Sequence, residues 1–360
     1  MNNSLIDSPD SPHLKALAET LHKHSLHLAT AEDWPSESLA ACGEMGVFRW
    51  FLPEAWGGFA WSDADVVRGY LELSAACLTT TFIITQRTGA CRRIANSEND
   101  ALKQRLLPNL AAGKTHATVG ISHLTTSRQH VKKPVLTATP QADGNFLLNG
   151  FSPWVTGAQA ADHLVIGATL EDGRQILTVV ERHAPGVEVK PPTQLVGLSA
   201  SQTGAVHFHD TPVPAEWLLA GPVENVMKSG SGANTGGLET STLAVGLATA
   251  ALRYLAEQGQ QRDVLTIPTE HLEAELDTLR ADLLAAAEGT PNCGPEQIRT
   301  RANSLVLRAT QAALTAAKGA GYVEGHPVGR WCREAMFFLV WSCPAPVLSA
   351  NLCELAGIQT

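Results

Sequence analysis

The feature that most constrains the fold is a change in hydrophobic period along the chain. Leu14, Leu17 and Leu21 repeat at spacings of three and four, which is the period of one face of an α-helix. Residues 114–222 instead contain short segments, mostly rich in β-branched residues, separated by Asp-Gly and Asn-Gly dipeptides that suit tight turns. A leucine repeat of helical period returns over residues 272–283. This order predicts an α+β protein with a central antiparallel β domain between two helical regions.

The same patterns predict where the parts of the chain begin and end. We expect an N-terminal α-helical domain at 1–113, a central β domain at 114–222, a flexible linker at 223–237 and a C-terminal helical bundle at 238–360. Strands are predicted at residues 115–122, 131–139, 146–149, 162–168, 175–180 and 187–190. The linker rests on the run of Gly and Ser residues at 229–237. Thr269, directly after Pro268, is expected to cap the helix that carries the second leucine repeat.

Charge and composition exclude several classes of protein. The chain has 26 basic and 35 acidic residues, for a net charge of −9, and no long basic run, so no binding to nucleic acid is expected. The first ten residues do not resemble a signal peptide, and the apolar run at 335–341 is too short to span a bilayer. The seven scattered cysteines form no Cys-x-x-Cys pair. We therefore expect a protein without membrane segments in the reducing cytoplasm.

Five groups of residues occur in an order and at spacings that match a known family. They are Gly46–Gly58; Leu107-Pro108 with Ala112-Gly113; Leu148–Gly150 with Trp154–Thr156 and Ala161-Asp162; Gly197–Thr203 with Phe208 and Val213-Pro214; and Gly319–Tyr322 with Pro327, Arg330 and Arg333–Ala335. Each group alone is weak, but together they make residues 40–340 resemble the acyl-CoA dehydrogenase family of flavoproteins.

The resemblance implies an FAD between the β domain and the C-terminal bundle. Trp154 would pack on the flavin ring, because a planar ring favours a flat aromatic neighbour. Thr156 would form a hydrogen bond near the redox nitrogen of the flavin, where a donor tunes how readily the flavin accepts a hydride. An ordinary tryptophan at a strand edge is the alternative interpretation of Trp154. Ser122 can donate to the flavin, although the usual loop around it is replaced here. Gly319 and Gly321 would let backbone approach the pyrophosphate, and close helix packing explains this pair equally well.

The resemblance also implies a catalytic base, and here the sequence departs from the family. A carboxylate normally removes the α-proton of the substrate while the β-hydride passes to the flavin. Ser342 occupies the position of the usual C-terminal glutamate and cannot act as such a base. Glu239 lies at the alternative base position of the family, on the first long helix of the bundle. A glutamate that merely stabilises a helix N-terminus is the other interpretation of Glu239. Ser201 is expected to contact the substrate.

Three functional hypotheses remain open at this stage. The first is an FAD-dependent α,β-dehydrogenation of an acyl thioester, carried by CoA or by an acyl-carrier protein, with an electron-transfer flavoprotein as acceptor. The second is a monooxygenase of the same fold that uses reduced flavin from a flavin reductase. The third is a degenerate subunit that binds acyl thioesters without chemistry of its own. A homodimer or homotetramer is implied by the family.

Two groups of histidines were considered as metal sites, and no metal site is predicted. His22, His24 and His27 lie in the first predicted helix, where residues two apart point in different directions. His207 and His209 would share one face of a strand. We interpret both groups as exposed surface, because a metal site needs three or more convergent ligands.

Overall fold

The computed structural model describes residues 4–125, 134–228 and 238–358, and its N-terminal part is helical. The helices are α1 (Pro12–Ser25), α2 (Ser36–Glu44), α3 (Asp63–Ala76), α4 (Leu78–Ala95) and α5 (Asp100–Ala111). Leu14, Leu17 and Leu21 of α1 are all buried, as their spacing predicts. Ser11 begins this helix, because its side chain accepts a hydrogen bond from the backbone N–H of His13.

Helix α3 is buried on two sides. Val66 and Tyr70 lie in a core shared with the β-sheet. Val67 and Leu71 lie in a second core, which is formed mainly by the C-terminal helices. An α-helix that is apolar on two faces needs partners on both, so α3 joins the N-terminal part of the chain to the C-terminal part.

The central part of the chain forms one eight-stranded sheet. Its strands are β1 (Ala117–Gly120), β2 (Leu136–Pro140), β3 (Phe146–Val155), β4 (His163–Thr169), β5 (Gln175–Glu181), β6 (Val187–Val189), β7 (Gly204–Val213) and β8 (Leu218–Val223). The strand order is β6-β7-β3-β2-β4-β5-β8, and β1 pairs with β4. A four-residue helix, α6 (Ser122–Thr125), follows β1. The predicted α+β fold class, with helices on either side of a central sheet in chain order, is confirmed.

The sheet is mixed rather than purely antiparallel. The pairs β2–β3, β3–β7, β4–β5, β5–β8 and β6–β7 are antiparallel, as expected. Strand β1 runs parallel to β4, with Ala117 opposite His163, and β2 is parallel to β4 at one position. The parallel pair is possible because β2 and β3 lie between β1 and β4 in the chain, whereas a tight hairpin joins only antiparallel strands.

Strand β8 was not predicted, β7 was expected only as a strand that carries His207 and His209, and parts of two predictions lie outside the described residues. Each of these two strands contains a proline, and in β7 Asp210 also ends the alternation of buried and more exposed residues that runs from Val206 to His209. The first part of the strand predicted at 131–139 falls in 126–133, outside the described residues. The same holds for the Gly- and Ser-rich part of the predicted linker, 229–237.

The C-terminal part of the chain is helical again. Its helices are α7 (Leu238–Gly259), α8 (Thr266–Ala287), α9 (Pro295–Ala317), α10 (Pro327–Ala335), α11 (Phe337–Val340) and α12 (Ala345–Leu355). The leucine repeat of α8 is buried at Leu272, Leu276, Leu279 and Leu283. Among the described residues, no helix is both long and apolar enough to cross a bilayer.

The predicted cap of α8 is wrong. The helix begins at Thr266, three residues before Thr269, so Thr269 lies inside it. Its hydroxyl donates to the carbonyl oxygen of Leu265 at 2.7 Å instead of accepting from a backbone N–H. Pro268 is tolerated in this first turn because its missing N–H would have no partner within the helix.

Helices α3 and α7 approach each other closely at a glycine. A Cβ atom on Gly246 of α7 would lie 2.6 Å from Ser74 Cβ and 2.9 Å from the carbonyl oxygen of Leu71, both on α3. The Ser74 hydroxyl also donates to the carbonyl oxygen of Leu243 at 2.8 Å. Only a residue without a side chain fits here, so Gly246 sets the separation of the two helices.

We expect the substitution Gly246→Ala to destabilise the protein by about 1–3 kcal/mol, because an extra methyl group overpacks a close helix contact. Equilibrium denaturant unfolding measures this change. Gly259→Ala is the matched control on the same helix, since a Cβ atom there would meet its nearest neighbour, Leu265 Cβ, at 4.0 Å. Equal stability of the two variants would show that α3 and α7 can separate at no cost.

Candidate functional site

An open cleft of about 760 Å³ lies where α3, α4 and α7 meet the end of β1. Three of the predicted site residues line it: Ser122, Trp154 and Glu239. The other four, Thr156, Ser201, Gly319 and Gly321, do not line it. Much of the remaining wall is aromatic and is formed by Trp61, Phe82, Phe337 and Trp341.

Glu239 lies in the first turn of α7 and shares an arginine with a second carboxylate. Arg92 of α4 places Nη1 3.4 Å from Glu239 Oε1 and Nη2 3.4 Å from Asp63 Oδ1. The Asp63 side chain is 75% exposed, that of Glu239 is 42% exposed and that of Arg92 is 23% exposed, so Glu239 is only partly shielded from water. Arg92 therefore forms ion pairs with two carboxylates, and Glu239 is the less exposed of the two.

The surroundings of Glu239 favour its protonated form. Burial raises the pKa of its carboxyl group above the ordinary value of 4.5, and the guanidinium groups of Arg92 and Arg93 oppose this rise without cancelling it. The charge of Asp63 adds to the rise in pKa. Burial of Arg93 lowers the pKa of its own guanidinium to about 10. A carboxyl group with a raised pKa is suited to taking up a proton at the pH where enzymes work.

Ser122 lies just beyond β1, at the start of α6, rather than inside a strand as the sequence predicted. Its Oγ atom is buried and has no hydrogen-bond partner among the described residues. A buried hydroxyl group without a partner costs about 1–3 kcal/mol. Because Ser122 lines the cleft, this buried hydroxyl lies beside the space that a ligand would fill.

Trp154 lies near the end of β3 and is 38% exposed, which is unusual for so large an apolar side chain. Since it lines the cleft, its ring offers a flat apolar surface to a ligand. Thr156, two residues further on, is buried.

A chain of three hydroxyl groups joins Thr156 to Ser201. The Oγ1 atoms of Thr156 and Thr203 are 2.9 Å apart, and Ser201 Oγ lies 2.9 Å from Thr203 Oγ1. All three side chains are buried. The backbone oxygen of Thr156 also accepts from Thr118 Oγ1 on β1 at 2.8 Å. These hydrogen bonds connect the end of β3 to the turn at Ser201 and to β1. The same end of β3 carries Trp154, which lines the cleft.

Gly319 and Gly321 lie just after α9, away from the other predicted site residues in the cleft. A Cβ atom on Gly321 would lie 2.7 Å from Ala317 Cβ and 3.0 Å from Leu314 Cδ1. A Cβ atom on Gly319 would meet nothing within 4 Å. Close packing therefore accounts for Gly321, while the backbone at Gly319 is open to an approaching group.

Residues 337–342 line the cleft with aromatic rings. Phe337 and Trp341 stack with ring centroids 5.3 Å apart, and Phe82 of α4 meets both edge-on at 4.9 and 5.0 Å. Ser342 also lines the cleft, and its φ of 41° is in the left-handed region. This wall offers apolar contact and one hydroxyl group, but no carboxylate.

Sequence reasoning missed Arg92, Asp63 and the contribution of Phe82 to this cleft. Arg92 is separated from Glu239 by 147 residues, so no local pattern connects them. The adjacent pair Arg92-Arg93, in a helix whose other residues are mostly buried, is the one signal that was available.

Comparisons with known proteins show what this chain is similar to. Residues 14–114 match the family described as "Acyl-CoA dehydrogenase, N-terminal domain". The chain is 26% identical over 329 residues to an acyl-CoA dehydrogenase of Bacillus subtilis (strain 168), an alignment that covers 84% of this chain and 85% of that protein.

Solved structures show the same fold. Butyryl-CoA dehydrogenase from Megasphaera elsdenii superposes with a TM-score of 0.80 at 20% identity, over 99% of both chains. Dibenzothiophene monooxygenase from Paenibacillus sp. A11-2 superposes with a TM-score of 0.76 at 18% identity, over 96% of this chain and 98% of that one. Both a dehydrogenase and a monooxygenase are therefore built on this architecture.

The raised pKa of Glu239 predicts how Glu239→Gln changes stability with pH. A raised folded-state pKa means that the folded protein loses stability, relative to a neutral side chain, as pH rises and the carboxylate forms. The stability of Glu239→Gln relative to the wild type should therefore increase as pH rises above the ordinary value of 4.5. Denaturant unfolding at a series of pH values measures this difference.

Glu275→Gln is a control of opposite sign. Hydrogen bonding to Arg308 lowers the pKa of the Glu275 carboxyl group, so its ionised form stabilises the fold, and this contribution is lost as pH falls through the lowered pKa. The stability of Glu275→Gln relative to the wild type should thus decrease as pH rises. A difference between Glu239→Gln and wild type that is constant with pH would contradict the raised pKa of Glu239.

Proposed function

Because the chain belongs to the acyl-CoA dehydrogenase family of flavin-dependent oxidoreductases, we propose that it binds FAD and dehydrogenates an acyl thioester at its Cα–Cβ bond. The observation that carries this proposal is a carboxyl group of raised pKa, Glu239, in one cleft with the unpartnered hydroxyl of Ser122 and the exposed ring of Trp154. A base, a donor and a flat apolar surface are the groups that this reaction needs.

Glu239 is the proposed catalytic base. Its Oε1 atom is held by Arg92, which leaves Oε2 to take the α-proton of the thioester. The raised pKa makes this proton transfer more favourable than it would be to an exposed carboxylate. Arg92 acts as a positioning residue, since it fixes the carboxylate and keeps part of its charge compensated before the proton arrives.

The residues at the cleft fit a flavin. When bound, FAD supplies acceptance of the β-hydride. Ser122 would donate its unused hydroxyl proton to the cofactor, and Trp154 would lie against the ring. Thr156 would approach the ring from the end of β3, where the hydroxyl network fixes its position. Gly319 and Gly321 would meet the pyrophosphate, and the open backbone at Gly319 supports this more than the packed backbone at Gly321 does.

The aromatic wall would bind the acyl thioester, carried by CoA or by an acyl-carrier protein, whereas Ser201, the expected substrate contact, is buried, does not line the cleft and would not touch the substrate. An electron-transfer flavoprotein would then take the electrons. We propose a homodimer or homotetramer, and exposed apolar side chains on α12, at Leu348, Leu352 and Leu355, support such an assembly. The seven cysteines are all free thiols, which agrees with our proposal of a reducing cytoplasmic location.

A reduced-flavin monooxygenase is the second candidate. The presence of Ser342 where the family has its usual base favours this candidate, and so does the shared fold with the dibenzothiophene monooxygenase. In that case a flavin reductase would replace the electron-transfer flavoprotein as partner. A subunit that binds acyl thioesters without chemistry is the third outcome that the experiment must distinguish.

The test is anaerobic reduction of the FAD-loaded protein by a series of straight-chain acyl-CoA thioesters. We expect the yellow flavin absorbance to bleach with at least one of them. Glu239→Gln should keep the flavin but slow bleaching by about 10²–10⁴-fold, which is the usual contribution of a general base. Glu257→Gln, an exposed glutamate of the same helix, is the control and should bleach like the wild type.

Three results would contradict the proposal in different ways. A colourless protein that does not retain added FAD rules out both enzymes and leaves the binding subunit. A yellow protein that no acyl thioester bleaches, but that transfers oxygen to a substrate when reduced flavin and O₂ are supplied, is the monooxygenase. If Glu239→Gln bleaches as fast as the wild type, the protein is a dehydrogenase but Glu239 is not its catalytic base.

Ser122→Ala tests the flavin site independently of the chemistry. Removal of an unpartnered buried hydroxyl group should leave the unfolding free energy of the flavin-free protein unchanged or slightly higher. The FAD dissociation constant should rise by about 2- to 10-fold, the value of one hydrogen bond of about 0.5–1.5 kcal/mol. Fluorescence quenching of added FAD measures the dissociation constant.

Ser152→Ala is the matched control. Ser152 Oγ on β3 is also buried without a partner among the described residues, but Ser152 does not line the cleft. This variant should behave like Ser122→Ala in stability and like the wild type in FAD binding. If both variants weaken FAD binding equally, the hydroxyl of Ser122 has no specific contact with the cofactor.

A further inference from the structure

A second cluster of reactive side chains lies on strands β6 and β7, outside the cleft. Glu188 of β6 is directly opposite His207 of β7 in the antiparallel register. His209, two residues further along β7, points to the same face. Glu188 Oε2 lies 3.4 Å from His209 Nε2, and one ligand atom from each of the three residues lies within 4.8 Å of the others.

The backbone fixes these three residues in place. The N–H of His209 donates to the carbonyl oxygen of Gly186 at 2.9 Å, which pairs the two strands beyond Glu188. Asp210, with a φ of 47°, ends the regular part of β7, and its N–H donates to Asn149 Oδ1 at 3.0 Å. The cluster therefore rests on paired strands rather than on a loop.

The ring of His207 is also oriented. Phe151 is its partner in the β3–β7 register, and the two rings stack with centroids 5.2 Å apart and planes at 18°. The rings of His207 and His209 are 6.1 Å apart and inclined by 30°. The stack on Phe151 limits the rotation of His207, which lowers the entropy cost of holding it as a ligand.

We propose that Glu188, His207 and His209 form a binding site for a divalent metal ion of the Zn²⁺ class, with water completing the coordination. Two imidazole nitrogens and one carboxylate oxygen are ligands that such ions prefer. Metal–ligand bonds of about 2.0–2.2 Å place ligand atoms roughly 3.5 Å apart. Small rotations of the partly exposed side chains bring atoms now within 4.8 Å to that spacing.

A neighbouring lysine limits the affinity of this site. Lys190, the residue that follows β6, has its Nζ atom 2.6 Å from Glu188 Oε1. Its positive charge opposes a divalent cation bound to the other oxygen of the same carboxylate. Removal of that charge should therefore strengthen binding, whereas removal of the histidines should abolish it. This opposite pair of effects distinguishes a built site from general attraction of cations to the surface.

A bound metal ion would stabilise the pairing of the edge strand β6 with β7. Strand β6 has three residues and lies at the end of the strand order. Short edge strands contribute little pairing of their own. An ion held by Glu188 on one strand and two histidines on the other would join β6 to β7, and ligation of the folded state alone raises the melting temperature.

The experiment is calorimetric titration of the chelator-treated protein with ZnCl₂. The wild type should bind one more Zn²⁺ per chain than the double variant His207→Gln/His209→Gln. Free thiols are present in both proteins, so any Zn²⁺ that they bind is subtracted in this comparison. Lys190→Gln should bind this ion several-fold more tightly. Zn²⁺ should raise the melting temperature of the wild type, and this rise should be reduced in the double variant.

The matched control is His22→Gln/His27→Gln, which removes two exposed imidazoles of the N-terminal region. It should bind Zn²⁺ like the wild type. Equal stoichiometry and affinity in the wild type and in His207→Gln/His209→Gln would overturn the site. An affinity unchanged by Lys190→Gln would overturn the assignment of Glu188 as a ligand. Neither result depends on whether the chain oxidises acyl thioesters.

Discussion

The close contact between α3 and α7 is the constraint on which the rest of the structure depends. Gly246 lets α7 lie directly on α3, and the hydroxyl of Ser74 fastens the two helices to each other. Because α3 is buried on its other side against the core that contains the sheet, its position links the two hydrophobic cores. The first turn of α7, with Glu239, is thereby placed opposite α4, with Arg92. The geometry of the cleft thus follows from helix packing that begins at its edge, since Leu243, whose carbonyl oxygen accepts from Ser74, lines the cleft.

The electrostatics of the cleft follow from an unequal balance of charge. Arg92 contacts both Asp63 and Glu239, so one positive charge compensates two negative ones at this point. Asp63 is mostly exposed, and water screens it. Glu239 has less water, and its pKa rises even though Arg92 and Arg93 are near. A second full ion pair would have fixed Glu239 in its ionised form, as Arg308 does for Glu275. The shared arginine instead leaves Glu239 able to exchange a proton.

Local periodicity was sufficient to predict most elements, but not the contacts between distant ones. The leucine stripes of α1 and α8 depend only on spacing, and both are buried as expected. For strand β7, a shared strand face for His207 and His209 was predicted without the strand's bounds. The bounds were missed because Asp210 and Pro212 interrupt the alternation that residues 206–209 follow. The start of α8 was misplaced because a threonine can either cap a helix or lie inside it. Here the Thr269 hydroxyl donates to the carbonyl oxygen of Leu265 within the helix. The pairing of Arg92 with Glu239 depends on tertiary structure, so no spacing in the sequence encodes it.

The aromatic wall and the position of the proposed base are connected. Where the C-terminal segment reaches the cleft, the rings of Phe337 and Trp341 stack on each other, and the ring of Phe82 packs edge-on against both. A carboxylate placed among these rings would be desolvated without a cation to balance it, which is costly. Among the described residues that line the cleft, the carboxylates are those of Asp63 and Glu239, and both lie beside Arg92. Asp63 is the more exposed of the two, with 75% of its side chain exposed against 42% for Glu239. If this chain removes a proton from a substrate in the cleft with a carboxylate, Glu239 is the group whose surroundings equip it to do so.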